Sequence, residues 1–348
     1  MVSQLLEQLA GESGEIKPAE MITDHPMTNF SHKNEVSFDN EWLQVFANHA
    51  EIQPFMDSQE TNARDVGQIN LDDLISFVQS PIKHYFNQKL GIYFNHVEDE
   101  IAETEPFSFS ALENYHVLNA LVEIQEDELK TFISHERLKG QLPVSYFGEL
   151  TAKTLNQKVS ILREALSEYL VMLPENIHIE MDFTPWLDFK CKLEGLIPHR
   201  DHNKIVLWRV GTLRDKDLIQ LWIYHLVLSA LERKESVVYY YLDKEKQNEL
   251  SICKFEAISP EQAKQQLAIY LKDYFTSTSQ LALVVTEKIE EYLENGEGMT
   301  LEMLEKLTER NDGIYLKRVL KQTEQINTQQ IYQTTENWFK TMFEHQII

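Results

Sequence analysis

Gly195-Leu196-Ile197-Pro198, followed by Ile205-Val206-Leu207-Trp208-Arg209-Val210, sets the frame for reading this chain. Two short apolar runs flank the polar, turn-like stretch His199-Arg200-Asp201-His202-Asn203-Lys204, a layout that predicts two strands joined as a β-hairpin. Apolar spacing from Leu218 to Leu231 predicts a helix next, carrying Gln220-Leu221-Trp222-Ile223-Tyr224. Further strands are expected at Ile177 to Phe183, Phe189 to Ile197, Val237 to Leu242 and Leu250 to Ala257, so the centre of the chain reads as α/β.

The order strand, strand, helix is similar to that of nucleases of the restriction-endonuclease-like superfamily. Their first strand carries an Asp, their second an Asp or Glu followed after one spacer by a Lys, and their helix a Gln-x-x-x-Tyr. Superimposed on that pattern, the Asp falls on Pro198, the second carboxylate on Trp208 and the Lys on Val210, while Gln220 and Tyr224 fit. A Mg²⁺ ion that activates water needs hard oxygen ligands, and proline, tryptophan and valine supply none. An aliphatic side chain also cannot neutralise developing charge as the lysine does. The resemblance implies a degenerate restriction-endonuclease-like (RecB-type nuclease-like) domain with a central mixed sheet and helical flanking regions, and with no catalytic residue and no metal.

Residues 1–69, with Gly11, Gly14, Pro18, Pro26 and Pro54, read as connecting material, because loops this long are uncommon inside a compact domain. Residues 70–170 read as mainly helical. Asn70 is a good N-cap for a helix with Leu71, Leu74, Ile75 and Val78 on one face, and Ser80-Pro81 restarts a stripe through Ile82, Tyr85, Phe86 and Leu90. From Glu98 to Glu128 there are ten acidic residues and no Lys or Arg, a run that reads as a solvated face, with docking onto a basic partner as the alternative. A helix from about Phe147 to Leu170 follows. Residues 171–259 hold the central sheet with the degenerate motifs, and residues 260–348 a helical C-terminal region.

With 348 residues and 43% hydrophobic content, the chain is long enough for a substantial core. Its 32 basic and 56 acidic residues leave a net charge of −24, which repels free nucleic acid overall and confines any phosphate contact to a local patch. Cys191 and Cys253 form neither a disulfide framework nor a zinc motif. No apolar run spans a bilayer, and Met1-Val2-Ser3-Gln4-Leu5 lacks a basic start, so no membrane contact and a cytoplasmic location are expected.

Three segments together resemble the C-terminal part of the RecC family, the gamma subunits of bacterial exodeoxyribonuclease V, the RecBCD helicase-nuclease. They are the run Leu71 to Phe94; Gly140-Gln141-Leu142-Pro143-Val144 with Phe147-Gly148-Glu149-Leu150; and Leu218 to Leu226. The likeness runs from about Asn70 to Leu242, and the opening segment looks like a connector from a helicase-like region not contained in this chain. The resemblance implies RecB and RecD subunits and DNA within the assembled complex as partners, and a role in double-strand break repair and homologous recombination. In the family RecC is a scaffold that guides and splits DNA. ATP and Mg²⁺ would belong to the other subunits; no Gly-rich loop ending in Gly-Lys-Ser/Thr occurs here.

The DNA- or partner-contact candidates are His199, Arg200, His202 and Lys204 at the tip of the expected hairpin, with Arg209, Arg214 and Lys216 as an extension diluted by Asp201, Asp215 and Asp217. A polar turn is the plainer reading of the tip. His116, compared with a histidine of RecB-type nucleases, reads as an ordinary surface or half-buried histidine, since one imidazole without carboxylate partners is no metal site. Gln220 and Tyr224, four apart on one helix face, are read as satisfying buried polar groups, and Trp208 as core. Two other functions stay open: an active metal-dependent nuclease whose carboxylates have moved to Glu180 and Glu194, without a lysine at the motif position, and a protein-only interaction module.

Overall fold

The computed structural model describes residues 66–94, 111–124, 128–138, 146–201, 203–243, 249–276, 281–295, 313–320 and 327–348, and in isolation Gln8. These segments, Gln8 apart, belong to one compact unit, Phe55–Ile348. The stretch 1–65 read as a connector, most of the acidic run between Glu98 and Glu128, Gly140 to Val144, and His202 lie outside the described residues.

The first described strand is β1 (Val66–Asn70), which overlaps the end of the stretch read as connector. Asn70 then caps α1 (Leu71–Gln79), its side chain accepting from the Asp72 N–H at 2.9 Å, as its residue type predicts. Proline at the first position opens α2 (Pro81–His84), which relaxes into a π-turn over Tyr85–Lys89. After α3 (Ala111–Glu123), α4 (Leu129–Leu138) and the long α5 (Tyr146–Leu170) come β2 (Glu175–Asp182), β3 (Lys190–His199) and β4 (Lys204–Arg209). The helix α6 (Asp215–Ala230) leads to β5 (Ser236–Asp243) and β6 (Glu249–Phe255). The C-terminal region holds α7 (Pro260–Thr276), α8 (Ile289–Asn295), α9 (Gly313–Leu320), α10 (Thr328–His345) and the two-residue β7 (Gln346–Ile347). The fold is α/β with mixed sheets.

The strands form two ladders, β1-β3-β2 and β4-β5-β6-β7, and not one central sheet. The expected hairpin is therefore corrected: β3 and β4 do not pair along their lengths. β3 pairs with β2 antiparallel from Lys192 to His199, and β1 takes its other edge in parallel from Lys190 to Glu194. Among the described residues the hairpin survives as one bridge, Asp201 to Lys204, where the Lys204 N–H donates to the Asp201 carbonyl at 3.3 Å. β4 turns to β5 in parallel, with α6 as the crossover.

One apolar core lies on the inner faces of both ladders. Ile69, Ile177, Ile179, Leu193, Ile197 and Ile205 meet α1, α6, α7 and α10 there. α6 is buried on nearly every side, which explains why its sequence is apolar beyond a single stripe. Gly195 is required where β3 passes α1, because a Cβ there would stand 2.5 Å from the Leu71 Cβ. A second core fills the outer face of β4 and β5, where Val206, Val210 and Leu242 meet Val117 and Leu121 of α3 and Leu155, Val159, Leu162 and Leu166 of α5. The outer face of the three-stranded ladder is different: Gln68, His178, Glu180, Lys192 and Leu196 are exposed along it.

Candidate functional site

Strand alternation decides what surrounds Pro198, Trp208 and Val210, the three positions on which the nuclease pattern was superimposed. Val206 and Trp208 of β4, and Val210 just beyond its end, meet the same outer core. Val206 and Val210 are buried in the second core, and Trp208 packs against it half-buried. Pro198 stands opposite Asn176 on the exposed outer face of the three-stranded ladder. Two of the three positions thus lie against the apolar side chains of α3 and α5.

The cationic candidates are divided. Arg200 and Lys204 sit by the end of α5: an Arg200 Nη1 N–H donates to the Met172 carbonyl at 3.2 Å, and Lys204 Nζ donates to the Tyr169 hydroxyl at 3.4 Å. The Arg200 guanidinium carbon lies 5.8 Å from the Trp208 ring centroid. His199 is 3.9 Å from the Glu175 carboxylate, and its Nδ1 is 3.3 Å from the Asp201 carbonyl. Arg209, Arg214 and Lys216 stand at the other end of β4, roughly 17 Å away for five residues at the usual strand rise. They do not extend the first group into one patch.

Arg209 is directed inward. It is 7% exposed, donates to Asp217 at 3.2 Å and covers the Tyr115 ring at 4.8 Å. Asp217 also accepts the backbone N–H of Arg214 at 3.2 Å, closing the first turn of α6. Tyr239 joins this knot by a hydrogen bond with Asp217, and burial pushes its phenol upward. Arg214 is exposed at the helix start, and the Lys216 carbonyl accepts from Gln79 Nε2 at 2.7 Å.

Gln220 and Tyr224 meet directly. Gln220 Nε2 donates to the Tyr224 hydroxyl at 3.2 Å, and the phenol, 2% exposed, is raised mainly by burial. Glu180 and Glu194 are cross-strand partners on the exposed face. Lys192 lies 3.8 Å from Glu180, and Gln68 Nε2 donates to Glu194 at 2.6 Å. That lysine is a neighbour which motif spacing did not reveal. Among the described residues no three His, Cys, Asp or Glu side chains converge on a metal-sized site. His116 is exposed on α3 beside Tyr115, at 6.0 Å between ring centroids.

A family model described as the RecC C-terminal domain matches residues 66–297, a span that takes in β1 through α8. The chain belongs to the RecC family. Its similar relatives include the RecBCD enzyme subunit RecC of Haemophilus influenzae, 29% identical over 369 aligned positions, covering 99% of this chain and 32% of that protein. The subunit of the same name from Escherichia coli is 27% identical over 273 positions, covering 74% of this chain and 22% of the relative. That of Buchnera aphidicola from Schizaphis graminum is 24% identical over 308 positions, covering 80% and 27%. The chain thus spans about a third or less of the curated RecC proteins it matches.

Within this RecC-family domain, the knot of Tyr115, Arg209, Asp217 and Tyr239 escaped sequence reading. Its one legible signal was Asp217 three residues after Arg214, the acidic position of a helix start. Arg209 carried no such signal, since its burial follows from the position of α6. Among the described residues, no helix is long and apolar enough to cross a membrane.

Proposed function

We propose that this RecC-family chain is a non-catalytic, degenerate restriction-endonuclease-like domain that scaffolds a RecBCD-type helicase-nuclease and guides DNA within it. The observation that carries the reading is the placement of Val210 in the core beneath α3 and α5, with Trp208 packed against it. The site of the nuclease lysine is filled by helix packing, so the domain serves as a framework and leaves chemistry to other subunits. The order β2, β3, β4, α6, β5 and the hydrogen-bonded Gln220–Tyr224 pair support kinship with nuclease folds, although β1 and not β4 pairs with the second edge of β3.

On this reading RecB and RecD are the partners, ATP and Mg²⁺ are used by them, and the complex works in the cytoplasm on double-strand breaks. DNA or partner contact falls to Arg200 and Lys204, with His199 and His202, and separately to Arg214 and Lys216. Arg209 supports α6 instead of facing a ligand. The net charge of −24 makes the chain a weak DNA binder until partners contribute cations.

Binding to forked DNA, measured with and without RecB and RecD across a salt series, tests the proposal. The chain alone binds weakly, and it assembles with the other subunits into a complex that unwinds DNA. Failure to assemble with either subunit refutes the scaffold role. Tight binding by the chain alone, with a steep salt slope, refutes the assignment of DNA contact to the assembly.

A further inference from the structure

The turn between α5 and β2 exposes three consecutive large apolar side chains: Val171 at 72%, Met172 at 43% and Leu173 at 84%. Single exposed apolar residues are ordinary, whereas contiguous ones mark contact sites. This group is contiguous. Glu175 and Asn176, just beyond the turn, stand opposite His199 and Pro198, so exposed Pro198 lies beside it on the open sheet face. Leu196, 44% exposed, continues the same strand face opposite His178.

The turn is also held in place. Arg200 ties down the Met172 carbonyl and rests over Trp208, while Lys204 reaches the Tyr169 hydroxyl at the end of the same helix. A fixed apolar cluster with an arginine and a tryptophan at its edge matches the residue types that carry binding energy at protein interfaces, and preorganisation lowers the ordering cost of contact.

We propose that Val171, Met172 and Leu173, with Leu196, Pro198 and Arg200, form a docking surface for a partner protein whose contact segment is apolar and carries a carboxylate. The carboxylate follows from charge complementarity: Arg200 and Lys204 are cations at this edge of a chain whose net charge is −24. A nucleic-acid strand fits less well, because the exposed apolar side chains of the turn offer a phosphate backbone nothing. The surface deepens, and rests on, the reading of this chain as a subunit of a larger assembly.

The test measures binding of the full chain to purified RecB and to purified RecD, for wild type and for Leu173→Asp, Val171→Asp and Leu138→Asp. Leu138 is 87% exposed at the end of α4, outside the surface, and serves as the control. Leu173→Asp and Val171→Asp each weaken binding to one of the two subunits at least tenfold with unchanged melting temperature, and Leu138→Asp does not. If wild type binds and both turn variants bind equally well, the surface assignment is wrong while the scaffold role stands. If wild type binds neither subunit, the scaffold role itself fails and the docking surface with it. Unchanged subunit binding with weakened binding to forked DNA also overturns the proposal, in favour of a DNA contact.

Discussion

Replacing Val210 by lysine, the residue that active nucleases carry at this point of the pattern, should destabilise the domain strongly. Val210 is 9% exposed and belongs to the core formed with Val206, Leu162 and Leu242. Losing the burial of the valine costs about 1.5 kcal/mol. Lowering the lysine pKa from about 10.4 to about 7, so that it is buried neutral, corresponds to roughly 4–5 kcal/mol at 1.36 kcal/mol per unit. Partial snorkelling of the flexible chain recovers some of this, leaving a net loss of roughly 3–5 kcal/mol. At about 2–4 °C per kcal/mol, thermal unfolding should shift down by roughly 6–20 °C. The deficit should depend on pH. Above about pH 10.4 lysine is neutral in both states and the ionic part vanishes; as pH falls, the unfolded chain gains a proton that the folded chain refuses, so the deficit grows until the depressed folded pKa is reached. Val210→Ala, which leaves a cavity but no charge, should lose about 2 kcal/mol with no such pH dependence. Denaturant unfolding of both variants at pH 7 and pH 10 measures this. If Val210→Lys lies within 1 kcal/mol of wild type at both, the side chain reaches solvent and the burial argument for this position fails.

Gly195→Ala should cost about 2–3 kcal/mol, because the new methyl would stand 2.5 Å from the Leu71 Cβ, Gly195 is paired with Ile179 and both residues directly follow the β1–β3 ladder; an unchanged melting temperature refutes the close approach. His225, stacked on Trp222 and close to Phe255 and His345, is lowered to about 4, first by burial and then by the charge of His345. The unfolded chain therefore takes up a proton below about pH 6.5 that the folded chain refuses, and up to about 3 kcal/mol of stability is lost between pH 6.5 and 4. His225→Phe should flatten that slope, and an identical acid-unfolding profile in the variant rules the histidine out. Incubation of the full chain with linear or single-stranded DNA and Mg²⁺ or Mn²⁺ should give no cleavage. Cleavage abolished by Glu194→Ala would establish the Glu180–Glu194 pair, with Lys192 beside it, as a relocated site.

Much of the fold was legible because its signals are local. Asn70 predicted a helix start and caps α1, Ser80-Pro81 restarts a helix, and strands β2 to β6 lie within a few residues of their expected places. Each of these rests on capping geometry or on alternation within one segment. The pairing of β3 was not local. A polar turn between two apolar runs predicts a hairpin, yet β2 and β1 occupy the edges of β3, and β1 is too short and mixed to be recognised before its partner is known. That Pro198, Trp208 and Val210 offer neither a metal ligand nor a cation was visible in the sequence by itself, as were the acidic balance and the Gln220–Tyr224 spacing. Only the tertiary structure decided that Arg209 turns inward to Asp217, that Arg200 and Arg214 lie at opposite ends of β4, and that Val171 to Leu173 emerge into solvent. Residue type and spacing fix what a segment can form, whereas burial and charge pairing depend on which distant segment arrives beside it.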